Sequence, residues 1–173
     1  IIQWSERTGW AHLYRYTAEG ELLNAITTGD WHVSNVLGAD DTKRVIYFTA
    51  TGYNKEENPY YLRLFRVNYD GSGLKQLDPT NFNGEFSLSD DRRYFTTTYS
   101  RVDVAPVSEL YTTEGRKVMT LAEVDIEPLK AIGYQYPETF VVKAADGITD
   151  LHGVMYKPYD FDPAKKYPII EYV

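Results

Sequence analysis

A chain of 173 residues that is 43% hydrophobic and 15% aromatic, with 16 Tyr, can bury a core and suits a sheet-rich protein. Its formal net charge of -7 gives no electrostatic reason to hold a phosphate backbone, and the basic pairs Lys43-Arg44, Arg92-Arg93 and Lys165-Lys166 are scattered over turns, so no nucleic-acid partner is expected. No stretch of 18 apolar residues offers a membrane span, and with no Cys neither a disulfide nor a thiolate metal site is available.

Runs of β-branched and aromatic residues separated by Asp, Asn and Gly predict strands over residues 2–6, 11–16 and 22–28. A second group follows over residues 33–37, 44–51, 60–69 and 74–77, and a third over 85–88, 93–100, 109–113 and 117–121. The polar stretch GYNKEENP, residues 52–59, is long for a hairpin and is expected to project from the sheet edge. Residues 121–133 have mixed polarity, and Pro128 limits any helix there to about one turn, so they read as an interdomain connector. A hairpin turning at Asp146-Gly147 comes next, then a loop, and residues 169–173 read as a buried strand.

Two interleaved repeats organise the first three groups. WAHLYRYTAEGE, YLRLFRVNYDGSG and SELYTTEGRK each carry a Leu-aromatic pair (Leu13-Tyr14, Leu64-Phe65, Leu110-Tyr111) running into a polar turn, at spacings of 51 and 46 residues. Out of phase with these, ADDTKRVIYFTAT and SDDRRYFTTTYS place Tyr47-Phe48-Thr49 and Tyr94-Phe95-Thr96 47 residues apart. One period shared by two motifs predicts a repeated four-stranded unit: an all-β, partial β-propeller of about two and three-quarter antiparallel blades, whose first blade lacks its inner strand.

Few residues invite a chemical role. His12, His32 and His152 have no metal-like spacing and lie in strand-like contexts, so they read as structural. The run Asn68-Tyr69-Asp70-Gly71-Ser72-Gly73 imitates the start of a calcium loop, but it lacks the distal bidentate Glu and reads as a hairpin turn. Asp40-Asp41 and Asp90-Asp91 are adjacent pairs whose side chains point apart, and their repetition marks them as turn formers. Trp4, Trp10 and Trp31 could form a carbohydrate platform, although burial between blades is the favoured reading. Tyr14, Tyr16, Tyr47, Phe48, Phe65, Tyr94, Phe95 and Tyr111 recur in register as expected core, while Tyr53, Tyr60 and Tyr61 are the better surface candidates.

WSERTGWAHLYRY followed by ITTGDWHV, and above all ADGITDLHGVMYKPYDFDPAKKYPIIEYV, closely resemble the dipeptidyl peptidase IV subfamily of the prolyl oligopeptidase family of serine peptidases. The resemblance implies the C-terminal blades of a propeller in residues 1–120, a connector in 121–133 and the first strands of a truncated α/β-hydrolase domain in 134–173. It further implies a parent enzyme that releases N-terminal dipeptides after Pro or Ala, peptide substrates, and export, commonly to the periplasm. The family's GxSxG nucleophile elbow is not present: none of Ser5, Ser34, Ser72, Ser87, Ser89, Ser100 and Ser108 is flanked in that way. The resemblance implies that the family's Gly-Pro loop, whose preceding Tyr donates to the oxyanion, begins just after Val173, and that the acidic pair that holds the substrate amine lies upstream of Ile1. No catalytic, cofactor-binding or metal-binding residue is therefore assigned, no cofactor is expected, and self-association through exposed blade or strand edges is. A propeller interaction module without peptidase activity remains the alternative, and a carbohydrate-binding sandwich a third.

Overall fold

The computed structural model describes residues 1–172, and its regular structure is almost entirely antiparallel sheet. Strands β1 (Ile2–Ser5), β2 (His12–Tyr16) and β3 (Leu22–Ala25) form a three-stranded sheet in that order. β4 (His32–Asp40), β5 (Val45–Thr51), β6 (Arg63–Asn68) and β7 (Lys75–Gln76) form a four-stranded sheet, and β8 (Asn83–Leu88), β9 (Tyr94–Arg101), β10 (Val104–Thr112) and β11 (Lys117–Glu123) another. The three Leu-aromatic motifs lie on β2, β6 and β10, so the three-stranded sheet lacks the equivalent of β4 and β8. This is the partial propeller with an incomplete first blade.

β5 explains why the middle blade reads as a continuous apolar run. Its residues alternate between two cores: Ile46, Phe48 and Ala50 pack with Leu13, Ile26, Trp31, Val33, Phe65 and Val67, while Val45 and Tyr47 pack with Leu64, Leu77, Phe95 and Tyr111. A strand covered on both faces has no polar side to show. β9 is covered on one face only, and there Phe95 and Thr97 are buried while Tyr94 and Thr96 are exposed. Tyr94 therefore leaves the expected core list, because the residue before Phe95 must point away from it. The uncovered face of β8 and β9 also shows Glu85 and Ser87, whereas β11 leaves Val118, Met119 and Leu121 46, 51 and 49% exposed.

Both Asp-Asp turns are closed by a carboxylate and a positive-φ Arg, at different positions in the two turns. The Asp40 carboxylate accepts the Lys43 N–H at 2.9 Å and Asp91 accepts the Arg93 N–H at 3.1 Å, while Arg44 and Arg92 take φ of 57° and 58° to close the turns. Of the three Trp, only Trp31 is buried; Trp4 and Trp10 are 44% and 42% exposed, contrary to the expected burial between blades. Trp4 lies at the sheet border, where its indole N–H donates to the Val33 carbonyl at 2.8 Å, and Trp10 receives Lys55 over its ring.

Contacts divide the chain into two units, Ile1–Arg101 with Ala105–Val124, and Val102–Val104 with Asp125 onward. The second holds α1 (Glu127–Ala131), a single turn with Pro128 inside its first turn, and the hairpin β12 (Glu138–Lys143) and β13 (Asp150–Met155). The strand expected over 169–173 does not form: residues 168–172 are irregular, with Ile169, Ile170 and Tyr172 at 92, 95 and 99% exposure, and Val173 lies outside the described residues. An apolar run becomes a strand only where another strand takes its N–H and C=O groups, and none pairs with residues 168–172.

Candidate functional site

The polar side chains singled out by sequence are absorbed by the fold one after another. His12 is buried at the junction of the first two blades, where its ring meets Trp31 edge to face at 4.9 Å. The Thr27 hydroxyl oxygen accepts the Leu13 N–H and shares a hydrogen bond with His12 Nδ1 at 3.0 Å, and the opposite Nε2–H donates to the Gly29 carbonyl at 2.8 Å. With both nitrogens bonded, His12 is neither a free base nor a metal ligand. Gly29 has φ of 123°, and a Cβ there would lie 2.7 Å from the Trp31 indole nitrogen, so only glycine fits this corner. Asp70, in the calcium-like run, accepts both the Ser72 N–H and hydroxyl and closes the turn. Hydrogen bonds from Ser89 and Arg93 hold Asp91 down to about 2, far from the range of a working proton carrier. Among the described residues no group of three or more His, Asp or Glu is arranged to hold a metal ion.

Two buried charge clusters were not foreseen. In the first, Arg63 at the start of β6 meets Glu57 at 3.2 Å and Asp78 at 3.1 Å, with all three side chains at most 6% exposed. The guanidinium also donates to the carbonyls of Phe82, at 2.6 Å, and Pro79, and the other Asp78 oxygen accepts the Leu64 N–H at 2.9 Å. Arg63 thus fastens to β6 both the 52–59 loop, through Glu57, and the crossing into the third blade. The loop consequently folds back at Glu57 instead of projecting freely, and Lys55 donates to the carbonyls of Asp30 and Gly52. Tyr53 packs on Phe65 at 4.9 Å, leaving Tyr60, 67% exposed, as the most open aromatic of this region. No clear signal marks this cluster in the sequence, since β6 reads Arg63-Leu64-Phe65-Arg66-Val67-Asn68 and nothing in it separates buried Arg63 from half-buried Arg66.

In the second cluster Glu109 is 3% exposed on β10, accepts the Tyr111 hydroxyl at 2.6 Å and pairs with Lys117 of β11. Burial alone would raise the Glu109 carboxyl, but the Lys117 and Tyr111 hydrogen bonds and the Lys117 charge outweigh it and hold the group below its ordinary value. The same burial, with the Glu109 bond, pushes the Tyr111 phenol up. These groups tie β10 to β11; neither cluster supplies a nucleophile with an adjacent base.

The geometry is that of a propeller scaffold, and comparison with known proteins gives its kind. Residues 1–106 match the family described as "Dipeptidyl peptidase IV (DPP IV) N-terminal region". The chain belongs to this family. It is 32% identical over 176 aligned residues to "Probable dipeptidyl peptidase 4" of Trichophyton verrucosum, an alignment covering 96% of this chain and 22% of that protein. Dipeptidyl peptidase 4 of Trichophyton rubrum is likewise 32% identical, with 96% of this chain and 21% of the relative covered. The crystal structure of Porphyromonas gingivalis dipeptidyl peptidase 4 superposes with a TM-score of 0.79 at 25% identity over 96% of this chain and 23% of that one. The chain therefore spans about a fifth of the length of these relatives. As a dipeptidyl peptidase IV-type propeller segment, it is related to peptidases through a scaffold region.

Proposed function

We propose that this chain is a non-catalytic segment of a serine exopeptidase that releases N-terminal dipeptides, Xaa-Pro or Xaa-Ala, from peptides. In this reading residues 1–120 are C-terminal blades of a propeller that caps the active site and restricts entry to small peptides. Residues 121–133 connect them to an α/β-hydrolase domain that begins with β12 and β13 and carries the Ser, Asp and His of the triad. The observation that carries it is the continuous similarity to dipeptidyl peptidases across 96% of the chain, which runs past the propeller through the hairpin and the tail. Export from the cytoplasm belongs to the same reading.

The division of labour sets the test. A triad and oxyanion hole together supply roughly 10⁶-fold or more of a peptidase's acceleration, so a scaffold without them has no measurable turnover. The full-length protein that carries this sequence is expected to release the chromophore from a Gly-Pro substrate and to react with a serine-directed fluorophosphonate, and residues 1–173 alone to do neither. A full-length protein that folds but shows neither turnover nor labelling overturns the assignment.

A further inference from the structure

We propose that Glu57, Arg63 and Asp78 form a proton-binding latch that holds the 52–59 loop against β6 more tightly in mild acid than at neutral pH. Arg63 is charged at every relevant pH, and two carboxylates share it, at 3.2 and 3.1 Å, where the three side chains are only 3, 6 and 2% exposed. With both carboxylates ionised the cluster carries one uncompensated negative charge away from water, which is costly. Its neutral partners do not cancel that charge: Glu57 Oε1 accepts from the Asn54 amide at 3.0 Å, Asp78 Oδ1 from the Leu64 N–H, and the Phe82 and Pro79 carbonyls take further guanidinium protons. The titratable groups facing Asp78 are Arg63 from β6, Glu57 from the loop and the Tyr111 phenol from β10, and only Arg63 brings a positive charge.

Two routes relieve the excess. A proton can enter the cluster, or Glu57 can swing out to water and take the loop with it. Burial pushes Asp78 up to about 6, with the Glu57 charge adding to it against the opposing Arg63 charge and Leu64 N–H. Because its folded pKa lies above the unfolded value, the folded state binds this proton more tightly. The stabilisation is complete below the ordinary carboxyl range and is lost as pH rises through about 6, opposite in sign to common acid denaturation. Above that pH the loop route prevails, and Glu57 is the hinge of the change.

Carboxyl ¹³C titration of the 173-residue chain, assigned through Asp78→Asn, reads the latch directly. Asp78 is expected to titrate near pH 6 in the wild type and to move down in Glu57→Gln, where burial still raises it but the Glu57 charge no longer adds to it. Amide exchange of residues 55–58, corrected for intrinsic pH dependence, should be several-fold slower at pH 5 than at pH 7 in the wild type and equal at both in the variant. A wild-type midpoint below about 4.5, an unmoved midpoint in Glu57→Gln, or loop protection that ignores pH would each overturn the proposal. The wild-type titration decides alone if Glu57→Gln does not fold.

Discussion

The Trp31 indole stacks on the Phe65 ring with centroids 6.1 Å apart and planes 25° from parallel, joining the residue that leads into β4 to β6 of the same blade. Phe48 lies between them in sequence and beside both in space, at 6.2 Å from Trp31 and 5.6 Å from Phe65, so three rings form one slab under the first blade. His12 caps the slab edge-on. Truncating a buried ring removes its transfer free energy and leaves a cavity, so Trp31→Ala is expected to cost about 3 to 5 kcal/mol in urea unfolding. Gly29→Ala is expected to destabilise by a similar mechanism in reverse, by driving a methyl into the indole. Wild-type stability in either variant would mean that the slab is not the core of the blade junction.

This junction also shows how far the sequence is legible. The period of the Leu-aromatic motif places β2, β6 and β10 as equivalent strands, because a buried pair followed by a Gly turn is a local pattern and survives in one dimension. β4 is longer than the alternation predicts, reaching Asp40, because its register shifts at Val33/Asn35 and Val36/Gly38 break the period of two. Tyr94 and Phe95 look identical to Tyr47 and Phe48 in sequence, yet only the second pair is covered on both sides, and coverage depends on which blade neighbours which. The Arg63 cluster was not legible: β6 carries two arginines, and Glu57 and Asp78 lie on opposite sides of Arg63 in the chain and meet it only through the fold.

Glu109 gives a pH dependence of the ordinary sign. Its folded carboxyl sits below its usual value, so the Lys117 and Tyr111 bonds contribute stability above the unfolded Glu range, and this contribution is lost as pH falls through the folded value. Glu109→Gln keeps an acceptor for Tyr111 and removes the charge that faces Lys117. The variant is expected to lose about 1 to 3 kcal/mol at pH 7 and progressively less below pH 4.5, read as urea midpoints across pH. A loss that stays constant down to pH 3 would show that packing, not charge, is what Glu109 provides.

Protease sensitivity separates the connector from the folded-back loop. Lys130 lies on the one-turn helix α1, which buries no residue, whereas Lys55 donates to two carbonyls and lies over Trp10. A protease must unfold several residues around the bond, and that opening costs least where few contacts break. Limited trypsinolysis is expected to cut after Lys130 before Lys55, leaving a core of residues 1–130. First cleavage inside β9 or β10 would contradict the blade assignment.

The last expectation concerns the hairpin. Strand alternation puts Phe140 and Val142 of β12 on one face with Leu151 and Met155 of β13, and the four are 42, 49, 44 and 42% exposed. Phe140 lies across Gly153, where a Cβ would meet its ring at 2.2 Å, so the face is flat and apolar. The opposite face is mixed, with His152 and the Lys143–Asp150 ion pair beside Val141 and Val154, which are 54 and 41% exposed. A two-stranded hairpin is marginal alone in water, and the same unit carries exposed Ile169 and Ile170. If two copies pair these faces and remove on the order of 500 Å² of apolar surface, the gain at about 25 cal/mol per Å² is roughly 12 kcal/mol. Lost translation and rotation alone take about 4 to 15 kcal/mol of that, which leaves a weak, concentration-dependent dimer and not a permanent one. Sedimentation equilibrium over a hundredfold dilution should show mass rising above 19.9 kDa with concentration, and Phe140→Glu with Val142→Lys should abolish the rise. A single species at monomer mass throughout would mean that the hairpin face is stable in water without a partner.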